Sequence, residues 1–274
     1  MKWLLLVSLL VTGSTGFGQY YYYDVIAARQ TEIQNELLKT NKIKKISALS
    51  YESDNSVNET FKVEQSITQD GDVITTNSTD GAGVNTYSES NFINSRVVKN
   101  IDSSRNIKTT SVYRYDSRGK LLSITSESKD AFMGGQSQEQ HLWTYNADKP
   151  QQMLRIKDKK DTTVISFVYD DQGNVAEELW KKKNMQLEHW YYYYDANHRL
   201  TDIVRYNTKA KRMLPDYLFG YDEKGKLIKM TQIPAGSSNY LVWSYQFDDK
   251  GLKTAEVCTN KQNQPVGKIV YRYQ

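Results

Sequence analysis

Tyr113-Arg-Tyr-Asp-Ser-Arg-Gly-Lys-Leu121 decides how this chain is read. Two tyrosines flank an arginine, and residues at i and i+2 of a strand lie on the same face, so the rings form one side of a ribbon. Asp116 then opens a four-residue turn that ends at Gly119. An aspartate at the first position of a type I turn accepts a hydrogen bond from the backbone two residues on. A glycine at the fourth position can take the left-handed conformation that closes a hairpin with a bulge. Leu121 starts the returning strand. The stretch predicts a β-hairpin.

The same lettering recurs toward the C-terminus. The second aromatic of each copy is Tyr115, Tyr145, Tyr169, Tyr194, Tyr221, Phe247 or Tyr273, at intervals of 24 to 30 residues. Two positions earlier stand Tyr113, Trp143, Phe167, Tyr192, Phe219, Tyr245 and Tyr271. Asp170–Gly173, Asp222–Gly225 and Asp248–Gly251 repeat the turn, and His198 replaces glycine in Asp195–His198. Asn146–Pro150 departs most and predicts a longer loop. Leu252 stands one residue early, which predicts a local register change. Tandem units of about 25 residues, each strand, turn, strand and connection, predict an antiparallel meander.

Residues between the paired aromatics (Arg114, Thr144, Val168, Tyr193, Gly220, Gln246, Arg272) are mostly polar, whereas Ile165, Trp190, Trp243 and Ile269 continue the aromatic phase. One face is therefore apolar and is expected to be the core. Upstream, Asp24–Thr40 reads as the one helix, with Ile26, Ile33 and Leu37 on one face and Asp24 as its cap. It is expected to cover an open sheet end or part of the apolar face. Strands resume near residue 42. Gln69–Asp72 joins Phe61–Thr68 to Val73–Thr76, and Ile101–Ile107 resembles a decayed turn of the later type. Some 16–18 strands exceed what a flat sheet tolerates, so a strongly twisted or rolled sheet is expected. The division is residues 1–18, a signal peptide; 19–41, a segment with the helix; and 42–274, a single all-β hairpin domain whose clear repeats span 111–274.

The signal peptide rests on Lys2, the apolar run Leu4–Val11 and small residues Gly16 and Gly18 before Gln19. It implies export to the periplasm, cell surface or medium, with no transmembrane helix left after cleavage. A mean hydropathy of −0.70 agrees with a soluble protein. The formal charge of +4 is spread among interleaved acids and bases, which argues against nucleic acid. The single cysteine, Cys258, excludes an internal disulfide framework.

Tyr113–Leu121, together with Phe167-Val-Tyr-Asp-Asp-Gln-Gly-Asn-Val175 and Phe219-Gly-Tyr-Asp-Glu-Lys-Gly-Lys-Leu227, resembles the YD repeat of RHS-type proteins. The resemblance covers roughly residues 111–274. It implies β-hairpin arrays of the sort that spiral into hollow shells around toxin domains in long members, and related repeats are linked to carbohydrate binding. The chain is too short for such a shell. It looks more like the short exported YD-type proteins of Bacteroidota.

No catalytic constellation stands out. His141, His189 and His198 lack zinc-ligand spacing. The turn acids Asp170, Asp171, Asp248 and Asp249 are explained by capping. Glu177 and Glu178, being adjacent in a strand, face opposite sides. The expectation is a non-enzymatic binding or structural module with no cofactor or metal, whose partner is a glycan or another envelope protein. Trp143, Trp180, Trp190 and Trp243 are the candidate ligand-binding residues, because exposed rings stack on sugar faces or anchor proteins. Other readings are a partner-binding subunit that adds a strand at the edge Lys268–Tyr273, an outer-membrane β-barrel, and a hydrolase.

Overall fold

The computed structural model describes residues 20–274 except 184, 209, 235 and 236. The expected signal peptide and its cleavage site lie outside the described residues. One helix, α1 (Tyr23–Thr40), precedes eighteen strands. The first six are β1 (Lys45–Glu52), β2 (Lys62–Ile67), β3 (Val73–Thr79), β4 (Asn85–Ile93), β5 (Arg96–Ser104) and β6 (Ile107–Tyr115). Next come β7 (Leu121–Asp130), β8 (Gln136–Asn146), β9 (Lys149–Lys157), β10 (Asp161–Tyr169), β11 (Val175–Lys182) and β12 (Met185–Tyr194). The last are β13 (Leu200–Asn207), β14 (Arg212–Tyr221), β15 (Leu227–Gln232), β16 (Leu241–Phe247), β17 (Lys253–Asn260) and β18 (Pro265–Tyr273).

Every strand pairs antiparallel with its sequence neighbours, and β1 also pairs with β18. Across that seam Ile46 lies opposite Tyr273 and Glu52 opposite Gly267. The all-β reading with one N-terminal helix holds, but the sheet is not merely twisted or rolled: it closes into an 18-stranded barrel. Closure gives both outer strands a partner and leaves no unpaired row of N–H and C=O groups. It also removes the expected docking edge, since Lys268–Tyr273 is already paired with β1 and β17.

The repeat turns form as read. Gly119 donates to the Asp116 carbonyl at 3.0 Å, and the Asp116 carboxylate accepts N–H groups from Arg118 and Lys120. Gly119 has φ +83° and His198 takes the same role at +60°. Left-handed backbone is strained for a residue with Cβ. His198→Gly is expected to stabilise the protein by up to ~1 kcal/mol, read as a higher urea midpoint. Two local expectations are corrected. Asn146–Lys149 closes through Ala147 and Asp148 alone, a shorter loop rather than a longer one. The turn between β5 and β6 is Arg105-Asn106, at the barrel end opposite the Asp-x-x-Gly turns.

The register shift expected near Leu252 is general. It falls just before the second aromatic in six successive copies, from Arg114/Tyr115 to Gln246/Phe247. The tyrosine hydroxyl then reaches a carbonyl on the preceding strand: Tyr145 to Leu121 at 2.8 Å, Tyr221 to Leu200 at 2.7 Å and Tyr273 to Lys253 at 2.7 Å. This is a physical reason for tyrosine over phenylalanine at that position. Cations at the turn exits cover the next ring: Lys120 over Tyr145, Arg199 over Tyr221 and Lys226 over Phe247.

The aromatic phase faces inward. Trp143, Met153, Ile165, Phe167, Trp190, Tyr192 and Ile203 are buried in one cluster with Tyr20. Ile46, Val63, Ile74, Ile269 and Tyr271 form a second cluster with Leu38. Helix α1 and the residues before it touch walls on opposite sides of the ring, which a helix outside a closed barrel could not do. Tyr20 packs against Trp190, Tyr192 and Tyr217. Glu32 pairs with Arg96 at 3.0 Å, and Lys39 with Asp72 at 2.6 Å. Asn35 donates to the Gly71 carbonyl at 3.0 Å. Arg96, Gly71 and Asp72 lie at the same barrel end as the Asp-x-x-Gly turns, so α1 crosses and plugs that mouth. The plug differs from the expected helix. Ile26 and Leu37 pack against the two cores as expected, but the most buried residues are Ala27, Thr31, Glu32, Asn35 and Leu38, and Ile33 is 49% exposed. Asp24 makes no cap.

The outer wall carries charges in mid-strand, among them Glu64, Glu89, Lys99, Glu177, Lys229 and Lys268. It also carries apolar residues, with Leu142, Leu154 and Val164 directly opposite one another on β8, β9 and β10 and Leu179 on β11.

Candidate functional site

The plug is held by a carboxylate that belongs to the wall. Glu178 on β11 is buried and accepts the backbone N–H groups of Tyr21 and Tyr22, each at 2.8 Å. Tyr192 donates to it at 2.6 Å and the Trp180 indole at 2.5 Å. These two amides lead into α1, whose own first N–H groups, on Tyr23, Asp24 and Val25, go to the carbonyls of Tyr20, Tyr21 and Tyr22. Glu178 therefore anchors the segment before the helix, and as an anion at that end it complements the helix dipole. Burial pushes its pKa up, and the four donors work against that rise. Glu177 points outward to His189 at 2.7 Å, so the two adjacent acids do face opposite sides.

Asp24 instead joins the plug to β8. His141 Nδ1 lies 2.6 Å from Asp24, and its Nε2 lies 3.0 Å from Glu139. Arg155 on β9 donates from Nε to Glu139 at 3.0 Å. Burial alone would lower the His141 pKa, but the Asp24 and Glu139 carboxylates outweigh it and lift it to about 9. Burial raises Glu139 as well, yet His141 and Arg155 hold it at about 2. A histidine whose folded pKa is raised stabilises the fold fully below its unfolded value, near 6.5, and loses that contribution as pH rises through its folded pKa. Stability is therefore expected to fall by about 3 kcal/mol between about pH 6 and pH 10. Unfolding curves across that range would show it, and His141→Gln should flatten this component.

Beyond the aromatic layer, toward the end opposite the plug, the inner wall becomes polar. On β8 to β14 it carries ion pairs: Glu139–Arg155, Asp161–Lys182 at 2.7 Å and Arg205–Asp216 at 2.8 Å. On β6 and β7 it carries hydroxyls, with Thr109 bonded to Ser128 at 2.9 Å and Ser111 to Ser126 at 2.8 Å. Asp102 on β5 lies on the same inner phase, and burial lifts its carboxyl to about 6. These side chains keep partial solvent exposure, so water enters this mouth.

The four candidate tryptophans all face inward. Trp143, Trp190 and Trp243 are buried, which corrects the expectation of exposed rings: each sits on the aromatic phase that became the core. Trp180 is different. It is only half-buried and lies 4.6 Å from the Tyr21 ring, which in turn meets His141 edge-on at 5.1 Å. Trp180 and Tyr21 thus form a partly open aromatic shelf at the border of the polar wall. Tyr21, Glu139 and Arg155 carry no mark in the sequence, and His141 stands out there only as a zinc ligand without partners. A polar residue on an otherwise aromatic phase, as at Glu178 and His141, was the available signal.

No family model matches the chain, and neither does any curated protein. Among solved structures, it is similar to a porin-like protein from Bacteroides uniformis at 10% identity and TM-score 0.35, covering 85% of this chain and 98% of that one. A porin-like protein from Bacteroides vulgatus gives 10% identity, TM-score 0.32 and the same coverages. The Photorhabdus luminescens Tc holotoxin pore gives 13% identity and TM-score 0.21, over 86% of this chain and 17% of that one. Likeness at these scores carries no argument about function. The fold itself defines the class: a closed antiparallel β-barrel with a helical plug across one mouth.

Proposed function

We propose that this chain is an exported, non-enzymatic binding module that takes a glycan in the polar mouth of the plugged barrel. The observation that carries this reading is the Tyr21–Trp180 shelf beside the Glu139–Arg155 and Asp161–Lys182 pairs. Apolar ring faces next to fixed donors and acceptors match the two-faced chemistry of a sugar ring. Calorimetric titration with a panel of neutral and acidic oligosaccharides tests it. Trp180→Ala is expected to weaken binding by about tenfold, Trp180→Phe to retain most of it, and Trp243→Ala to lower stability with affinity unchanged. A panel without binders, or one whose binding ignores Trp180→Ala, would refute the site. A hydrolase screen on the same panel tests the non-enzymatic part.

A second reading, an outer-membrane β-barrel, is favoured by a specific observation: closure of an even number of antiparallel strands in an up-and-down meander. The two readings differ in what the outer wall faces. Mid-strand charges such as Glu64 and Lys268 favour water, since a Lys or Arg at the bilayer midplane costs about 2–4 kcal/mol. Detergent phase partitioning of the full chain separates them.

A further inference from the structure

We infer that the barrel end opposite the plug is a membrane-docking surface, which rests on any bilayer carrying anionic headgroups. In a meander, alternate turns share one end, so the β7–β8, β9–β10, β11–β12 and β13–β14 connections form a contiguous arc of one rim. That arc joins two features. The first is exposed apolar bulk: Phe132 is 84% and Met133 81% exposed at the β7–β8 tip, and Met185 is 65% exposed at the start of β12. The second is cationic charge. Lys157, Lys159, Lys160, Lys183, Lys211 and Arg212 are exposed on the neighbouring hairpins. Of the acids between them, Asp161 is paired with Lys182, and Asp158 accepts the Gln138 N–H at 2.9 Å.

The tip is fixed rather than frayed. The Asp130 carboxylate accepts the N–H groups of Phe132 at 2.8 Å and Met133 at 3.0 Å, while Ala131 donates to the Asn106 carbonyl at 2.8 Å. A tethered loop that holds a phenylalanine and a methionine in water has no folding rationale, because neither side chain contributes to the core. The opposite rim differs in degree: Ile93 is 61% exposed at its β4–β5 turn, but its exposed Lys224 and Lys250 share their turns with the exposed acids Glu223 and Asp249. Its turns carry Asp116, Asp170, Asp195, Asp222 and Asp248, each at the head of a capped turn. The partner is therefore argued from charge and shape together. Apolar tips with lysines beside them, spread over several hairpins, suit a broad surface that takes the tips into its headgroup region while the lysines meet its charge.

This inference needs the outer wall to face water, as in the leading proposal; the polar mouth opens at the same end, so a docked chain turns that mouth to the headgroups, and vesicle binding is measured without added glycan. The experiment is co-sedimentation of the full chain with vesicles of phosphatidylcholine alone and of phosphatidylcholine mixed with phosphatidylglycerol. Wild type is expected to bind the mixed vesicles and to release in high salt. Phe132→Ser with Met133→Ser should weaken binding about tenfold or more. Lys159→Glu, Lys160→Glu and Lys183→Glu together should abolish the preference for phosphatidylglycerol, whereas Lys224→Glu with Lys250→Glu at the other rim should leave it intact. The inference is overturned if wild type ignores the mixed vesicles, if the Phe132/Met133 variant binds as wild type does, or if the Lys224/Lys250 control loses as much as the Lys159/Lys160/Lys183 variant. Phase partitioning without vesicles is the separate control. A chain that stays in water yet ignores the vesicles loses the docking surface alone, and a chain that needs detergent loses the leading proposal as well.

Discussion

Glu178→Leu is expected to lower folding stability by about 3–5 kcal/mol. The carboxylate is the shared acceptor for four donors in a buried setting: the amides of Tyr21 and Tyr22, the Tyr192 hydroxyl and the Trp180 indole. Leucine fills much of the space but leaves those donors with nothing to replace water. Each buried polar group left without a partner costs about 1–3 kcal/mol, and relaxation of the plug recovers part of the total. The check is equilibrium unfolding in urea, with hydrogen exchange at Tyr21 and Tyr22 as the local readout. Tyr192→Phe, which removes one donor, should cost only about 1 kcal/mol. Unchanged exchange at those two amides in the Glu178→Leu protein would show that the plug is held by its apolar contacts instead.

Trp190→Ala is expected to cost about 3–5 kcal/mol, the range for truncating a large aromatic side chain in a packed core. Trp190 has no solvent exposure and joins three parts of the molecule. Its ring lies 5.9 Å from Tyr20 of the plug segment, 6.2 Å from Trp180 on the neighbouring strand and 4.1 Å from the Arg205 guanidinium on the other side. Arg205 keeps its fork to Asp216 in the variant, so the loss should report the cavity and the broken plug contact. A fall in Tm of roughly 6–20 °C is the expected calorimetric result for a domain of this size. A shift within a degree or two would mean that the interior repacks around the gap.

The strands were legible because their signals are local. Aromatic-x-aromatic alternation marks a face, Asp-x-x-Gly marks a turn, and both act within about ten residues. The hairpins at Asp116, Asp170, Asp195, Asp222 and Asp248 therefore stand where they were read. Lettering was weaker upstream, yet the hairpin between β2 and β3 still forms around Gly71, whose φ is +73°. The turn that failed, Asn146–Lys149, uses Ala147 at φ +51°, a residue with no sequence mark for that conformation. The helix forms where its periodicity places it, with Ile26 and Leu37 inward, but its polar buried residues carry no such mark. Apolar periodicity selected Ile33, whereas the barrel mouth supplies Arg96 and Gly71 as partners for Glu32 and Asn35. Those partners are 36 to 64 positions away in sequence, beyond any periodic pattern.

The candidate site was less legible, for the same reason. The tryptophans were conspicuous and three of them proved to be core, because the aromatic phase and the ligand-facing phase of the same strands are one phase at different depths. Only depth separates buried Trp190 from half-buried Trp180. Depth is set by where the plug stops, and the plug stops where Glu178 anchors Tyr21 and Tyr22.

By itself, then, the sequence determined the unit: an antiparallel hairpin with one aromatic face, a capped Asp turn and a phase of about 25 residues, since each depends on neighbours along the chain. The tertiary structure alone decided that eighteen such strands close on themselves, because the pairing of Lys45–Glu52 with Pro265–Tyr273 joins the two ends of the array. It also decided which mouth is plugged and which is open. Those outcomes depend on contacts such as Asp24 with His141, 117 positions apart, whose pairing free energy exists only after the ring has closed around the helix.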